Sequence, residues 1–180
     1  MKRTISFLTL IGLTFLSAFI FISVTPYHTS ASGIIIGGER EMNLKYLAYL
    51  KFTVEKEIIF RHTPHGIRHD IHYEGELTGD LLSGQMSGID YMNLRPDGID
   101  EINTRATIET PDGAYVSVHI TGYVEPDGTI RDSYVRFLSG YEKYKWLNDT
   151  VCFGHGGPIA AGTFEVYYYY YSTGSEPESN

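Results

Sequence analysis

The stretch RPDGIDEINTRATIETPDGAYVSVHITGYVEPDG, residues 95–128, holds three copies of Pro-Asp-Gly spaced fifteen residues apart. Proline fixes φ near about −65° at the second position of a type I or II turn. Aspartate bonds back to its own backbone, and glycine accepts positive φ. Between the turns the residues alternate. Ile102, Thr104, Ala106 and Ile108 stand against Glu101, Asn103, Arg105, Thr107 and Glu109, and Val116, Val118 and Ile120 against Tyr115, Ser117, His119 and Thr121. A period of two is the signature of a half-buried strand, and Asp-Gly between two such runs is a strong hairpin signal. Residues 95–128 therefore form an antiparallel meander of long arms.

The same pattern extends outward. NLKYLAYLKFTVE alternates with Leu44, Tyr46, Ala48, Leu50, Phe52 and Val54 on one face. KEIIFRH continues that strand or begins another, HTPHG is a loop, and IRHDIHYEGELTG a further strand. Gly75, Gly79, Gly84 and Gly88 mark bulges or tight turns. IRDSYVRFLSGYEKYKWL reads as a strand followed by a short helix, or as two strands. VCFGHGG precedes AGTFEVYYYYY, the final strand. About eight strands without helical crossovers make an all-β fold, a barrel or a sandwich. A meander of long strands favours the barrel, because closure removes exposed edges. A barrel of that size has room for one small ligand where side chains do not fill it.

Lys2 and Arg3 precede an apolar run from Ile5 to about Val24, and small residues allow cleavage after Ala31 or Ser32. Residues 1–32 are expected to be a signal peptide or, given the length of the run, a single-pass membrane anchor. Either routes the folded part to the secretory pathway, as a secreted or lumenal protein. A leader (33–42), a barrel domain (43–171) and a polar tail (172–180) follow. Asn148-Asp149-Thr150 is an N-glycosylation sequon. Cys152 is the only cysteine, so no intrachain disulfide forms, and its VCF context is that of a buried small hydrophobe. The net charge of −8, without a basic patch, argues against a nucleic-acid partner.

SGIDYMNLRPDGIDEINTRATIETPDGAYVSVHITG resembles the family of small β-barrel proteins known as domain of unknown function 3237. The resemblance rests on Gly88, Asp90 and Tyr91; Arg95 to Gly98; Arg105; Asp112 and Gly113; Trp146, Leu147 and Asn148; and Val166 and Tyr167. It covers about Leu44 to Tyr171, with Tyr91 where the family usually has Trp. It implies a lipocalin-like closed barrel and carries no assigned chemistry. Some fungal secreted barrels of similar size act as cofactor-free cyclases in natural-product pathways, and that analogy favours an enzyme.

Candidate chemistry follows from the polar residues. His62, His65, His69 and His72 lie close in sequence, but His69 and His72 face opposite sides of a strand, and zinc-like spacing is missing. No metal site is expected. Asp90, Arg105 and His119 are expected in the lumen as the catalytic set. Asp90 pairs with Arg105, Arg105 polarises a carbonyl or phenolate oxygen, and His119 or a tyrosine moves a proton. Tyr91, Tyr123, Trp146 and His72 are expected to bind the ligand, in a pocket suited to a flat, partly polar molecule. No nucleophile elbow, phosphate loop or dinucleotide fingerprint occurs, and no cofactor is expected. The sequence thus points to a barrel enclosing a small apolar or aromatic molecule. The first reading is a cofactor-free cyclase or isomerase of secondary metabolism, a hetero-Diels–Alder catalyst being one form. The alternatives are a non-catalytic lipocalin-like carrier and a cell-surface interaction module.

Overall fold

The computed structural model describes residues 43–172 and residue 177 (for residue 132, the backbone alone). The segments expected to be a signal peptide or anchor (1–32) and a leader (33–42) lie outside the described residues, as does most of the tail. The described chain is an eight-stranded antiparallel barrel: β1 Leu44–Thr63, β2 Gly66–Thr78, β3 Gly84–Leu94, β4 Asp100–Glu109, β5 Tyr115–Val124, β6 Ile130–Leu138, β7 Cys152–Ala160 and β8 Thr163–Tyr171. Each strand pairs with the next, and β8 returns to β1 from Leu44↔Tyr171 to Thr53↔Thr163, so the sheet closes. Between β6 and β7 the chain forms a 3-10 helix, Glu142–Asp149, which resolves the choice between a helix and a further strand.

The three Pro-Asp-Gly turns share one geometry. Gly98, Gly113 and Gly128 donate to the carbonyls of Arg95, Thr110 and Glu125 at 3.0, 2.9 and 2.8 Å, with φ of 86°, 79° and 88°. This is a type I turn closed by a left-handed glycine, which restores the twist of the flanking strands. In a meander successive turns fall at alternate ends. The turns at 95–98 and 125–128 therefore share one end with the β1–β2 and β7–β8 hairpins, and the turn at 110–113 lies at the other.

Alternation sets what faces inward. Ile102, Thr104, Ala106 and Ile108 are buried on β4, and Val116, Val118 and Ile120 on β5. Strand β1 departs from its simple alternation. A register shift against β8 between Tyr46 and Ala48 puts Leu44 and Tyr46 outside, 40% and 50% exposed, while Leu47, Ala48 and Leu50 are buried. One extra residue in a strand re-aims everything beyond it. Gly75 and Gly88 are not bulges, because the β2–β3 register runs unbroken through both. At Gly88 a Cβ would lie 2.6 Å from the Arg105 carbonyl, so the close approach of β4 requires glycine.

Packing is dense at the end that holds the 3-10 helix. Leu47, Leu77, Leu82, Met86, Phe137 and Leu147 are almost fully buried there. Asn148 ties the helix down: its Oδ1 accepts from Ser139 N at 2.8 Å and its Nδ2 donates to Ser139 O at 3.0 Å. The Asp112 carboxylate takes hydrogen bonds from the Thr110 hydroxyl, Lys143 Nζ (2.9 Å) and the Tyr144 hydroxyl (3.2 Å). These donors, Thr110 first, hold its carboxyl well below the usual carboxylate range.

Candidate functional site

Toward the opposite end the side chains stop short of the axis and leave a cavity of about 420 Å³. One wall is apolar: Leu50, Phe52 and Val54 from β1, Ile120 and Val124 from β5, and Phe164 and Val166 from β8. Phe52 stacks on Phe164, with ring centres 5.3 Å apart and planes 10° from parallel, and touches Tyr73 at 4.9 Å. Gly98, Pro126 and Gly128 from two of the Pro-Asp-Gly turns form part of the rim.

The polar groups of the lumen are His69, Asp90, Asp100 and Thr104 on β2, β3 and β4, with Glu125 from the β5–β6 turn and Ser133 from β6. His69 stands on the same face of β2 as Ile71 and Tyr73, all three lining the cavity. Its Nδ1 lies 2.8 Å from Glu57 Oε1 and its Nε2 3.0 Å from Asp100 Oδ1. The β1 register explains how Glu57 reaches it. Val54 pairs with Tyr73 but Lys56 with His72, so Glu55 is an inserted residue and Glu57 comes opposite the inward Ile71. The hydrogen bond to Asp100 is the main cause raising the His69 pKa to about 9, opposed by partial burial and reinforced by Glu57. At neutral pH His69 is thus an imidazolium with both N–H groups donating to carboxylates.

Asp90 projects into the cavity from β3, beside Met92. Its Oδ1 accepts from Asn103 N at 3.0 Å. Burial pushes its pKa up to about 6, against the hydrogen bonds from Asn103 N–H and the Thr104 hydroxyl. Burial likewise raises the phenols of Tyr73 and Tyr168, and the Asp90 charge adds to both shifts. The lumen therefore combines an apolar wall, a carboxyl poised near neutrality and a carboxylate held by an imidazolium.

The expected site is partly rearranged. Asp90 faces the lumen, but Arg105 and His119 do not: both share the outer face with Asn103, Thr107, Ser117 and Thr121. Arg105 is exposed, 3.4 Å from Asn103 Oδ1, and stands opposite His119 across the β4–β5 pair. The Asp90–Arg105 pair is therefore not formed. The strand period forces this, since Thr104 and Ala106 occupy the inward positions. Tyr91 and His72 also lie outside, out of phase with Met92 and Tyr73; Tyr91 packs under the Arg68 guanidinium at 5.2 Å. Tyr123 is 41% exposed on the outer face of β5. Trp146 belongs to the 3-10 helix, where it meets Tyr170 edge-on at 5.4 Å, away from the cavity. The sequon side chain Asn148 is engaged by Ser139 at both ends of its amide. Cys152 is buried, which pushes its thiol up to about 12. Among the described residues no group of three or more His, Cys, Asp or Glu could hold a metal ion.

Sequence reasoning missed His69, Glu57 and Asp100. The signal for His69 was present, because it keeps phase with Ile71, Tyr73 and Leu77. Glu57 gave none, since its orientation depends on the inserted Glu55.

The family described as Protein of unknown function (DUF3237) matches residues 42–135, more than half of the chain. No curated protein matches the sequence. Among solved structures, a conserved protein of unknown function from Rhodopseudomonas palustris is 23% identical over 73% of this chain and 98% of its own, with a TM-score of 0.65. A β-barrel like protein from Acinetobacter baumannii is 22% identical over 75% of this chain and 99% of its own, with a TM-score of 0.68. A protein described as an enzyme from Penicillium herquei is 22% identical over 76% of this chain and 100% of its own, with a TM-score of 0.60. At these identities the likeness concerns the fold alone.

Proposed function

We propose that this chain, which belongs to the DUF3237 family, uses its lumen as a cofactor-free chamber for isomerisation or cyclisation of a small, largely apolar molecule. The observation that carries the reading is Asp90, a carboxyl with a pKa of about 6 set among apolar and aromatic side chains. A general acid–base near the operating pH is what proton transfer requires. Asp90 takes a proton from one atom of the ligand and returns it to another, so the product is an isomer and no co-reactant is consumed. His69 spends both N–H groups on Glu57 and Asp100; it is a positioning residue that fixes the Asp100 carboxylate. The stacked Phe52 and Phe164 supply a flat wall that limits the poses of a planar ligand. A pericyclic form, including a hetero-Diels–Alder reaction, would rest on that wall and on exclusion of water. The Penicillium herquei protein described as an enzyme supports the reading at the level of fold.

Comparative metabolite profiling of the source organism, with and without the gene and with an Asp90→Asn allele, tests the proposal. The expected result is one product lost and an isomeric precursor accumulating, in both the deletion and the Asp90→Asn strain. Unchanged totals, with only a shift between cells and medium, would make the barrel a carrier and end the catalytic reading. Export through the N-terminal segment remains part of the proposal, and sequencing the mature N-terminus tests it: residue 32 or 33 marks cleavage, and Met1 marks an anchor.

A further inference from the structure

Charge in the cavity is one-sided. Among the described residues no Lys or Arg lines it, while Asp90, Asp100 and Glu125 do. The single cation lining it, His69, hydrogen-bonds Asp100 and Glu57; its charge lowers the Asp90 pKa, but it makes no ion pair with Asp90. Glu125 Oε1 lies beside the Arg131 guanidinium but is buried and takes no hydrogen bond. That leaves Asp90, held by the Asn103 N–H and the Thr104 hydroxyl, as a carboxylate with no ion pair. Around it the walls are aromatic. Phe52, Tyr73 and Phe164 form one contiguous surface, and Tyr73 and Tyr168 lie close enough to Asp90 to feel its charge.

A buried carboxylate is costly unless a cation joins it, and aromatic faces attract a desolvated cation. An anionic ligand would meet the uncompensated negative charge, and a neutral one would leave it unrelieved. We propose that the lumen selects a ligand bearing a protonated amine on a flat apolar body, with the ammonium seated on Asp90 among the rings of Phe52, Tyr73, Phe164 and Tyr168. This deepens the functional reading above and rests on it in one respect, that the lumen is where the ligand binds; an ammonium seated on Asp90 holds it ionised, the state from which it takes its proton.

The groups facing Asp90 set the pH behaviour. From β2 these are His69 and Tyr73, from β4 Asp100, and from β8 Tyr168, with Glu57 hydrogen-bonded to His69. Asp90 gains a proton as pH falls through about 6, while His69 stays protonated and both phenols stay neutral.

The test is direct binding to the full chain of three probes sharing one ring system: 2-(aminomethyl)naphthalene, 2-naphthalenemethanol and 2-naphthoic acid. At pH 7.5 the amine is expected to bind at least about tenfold more tightly than the alcohol, with the acid weakest. Asp90→Asn is expected to abolish that preference while retaining binding of the alcohol, and lowering the pH to 5 should erode it. An acid that binds as tightly as the alcohol, or an amine preference that survives Asp90→Asn, overturns the inference. Alcohol binding with no preference for the amine overturns it alone. Failure of all three probes overturns both it and the reading of the lumen as the binding site. Because binding is measured without turnover, loss of the catalytic reading leaves this result standing.

Discussion

The two ends of the barrel are built from the same turns and do opposite things. At 110–113 the Pro-Asp-Gly turn is clamped by the 3-10 helix through Asp112, Lys143 and Tyr144, over a plug of Leu, Met and Phe side chains. At 95–98 and 125–128 the same tripeptide borders an unfilled cavity whose polar groups include an unpaired carboxylate. One end maximises packing, and the other gives up packing and solvation to hold reactive groups. Such sites are commonly less stable than the protein could be, so removing the Asp90 charge at the open end should act with opposite sign to truncating a side chain at the packed end.

The largest effect is expected at the packed end. Phe137 is 1% exposed and meets Tyr168 edge-on, so Phe137→Ala should cost about 3–5 kcal/mol in urea unfolding. At the open end, Asp90→Asn should raise stability by about 2–3 kcal/mol at pH 7.5. The folded pKa of about 6 lies above the ordinary 3.8, so ionisation of Asp90 lowers stability as pH rises from 3.8 to 6. The gain should therefore vanish at pH 3, and a loss at pH 7.5 would break the contrast between the ends. His69→Gln should cost about 2 kcal/mol near neutrality, discounting the solvent-screened Glu57 contact. Here the folded pKa of about 9 exceeds the ordinary 6.5; the contribution is complete below 6.5 and is lost as pH rises through 9. Wild type and His69→Gln should thus converge at pH 10.5 in chemical denaturation. Asn148→Ala, which frees the helix from Ser139, should cost about 1–2 kcal/mol. Smallest of all, Arg105→Ala should leave stability within about 0.5 kcal/mol and leave ligand binding unchanged. A loss of binding would return Arg105 to the site.

The difference between Arg105 and His69 shows how far the site was legible. Both sit on strands whose alternation is visible in the sequence. Arg105 was assigned to the lumen on its chemistry, although Thr104 and Ala106 flank it on the inward face. His69 was grouped with its neighbouring histidines, although it keeps phase with Ile71 and Tyr73. In both cases phase predicts orientation and residue type does not, because a strand offers each side chain only one face. Asp90 too was assigned to the lumen on its chemistry; it lines the cavity because it shares the parity of Met86 and Met92.

Turn chemistry and a period of two are local, and the sequence by itself determined them: three hairpin turns, long arms and an all-β meander. Where closure falls, which end is packed and which hollow, and that Glu57 turns inward to meet His69 were decided only in the folded barrel. Those features depend on single-residue insertions at Leu47 and Glu55 and on pairing between β1 and β8, at opposite ends of the domain. An insertion appears only as a mismatch between two strands, and neither strand records it alone.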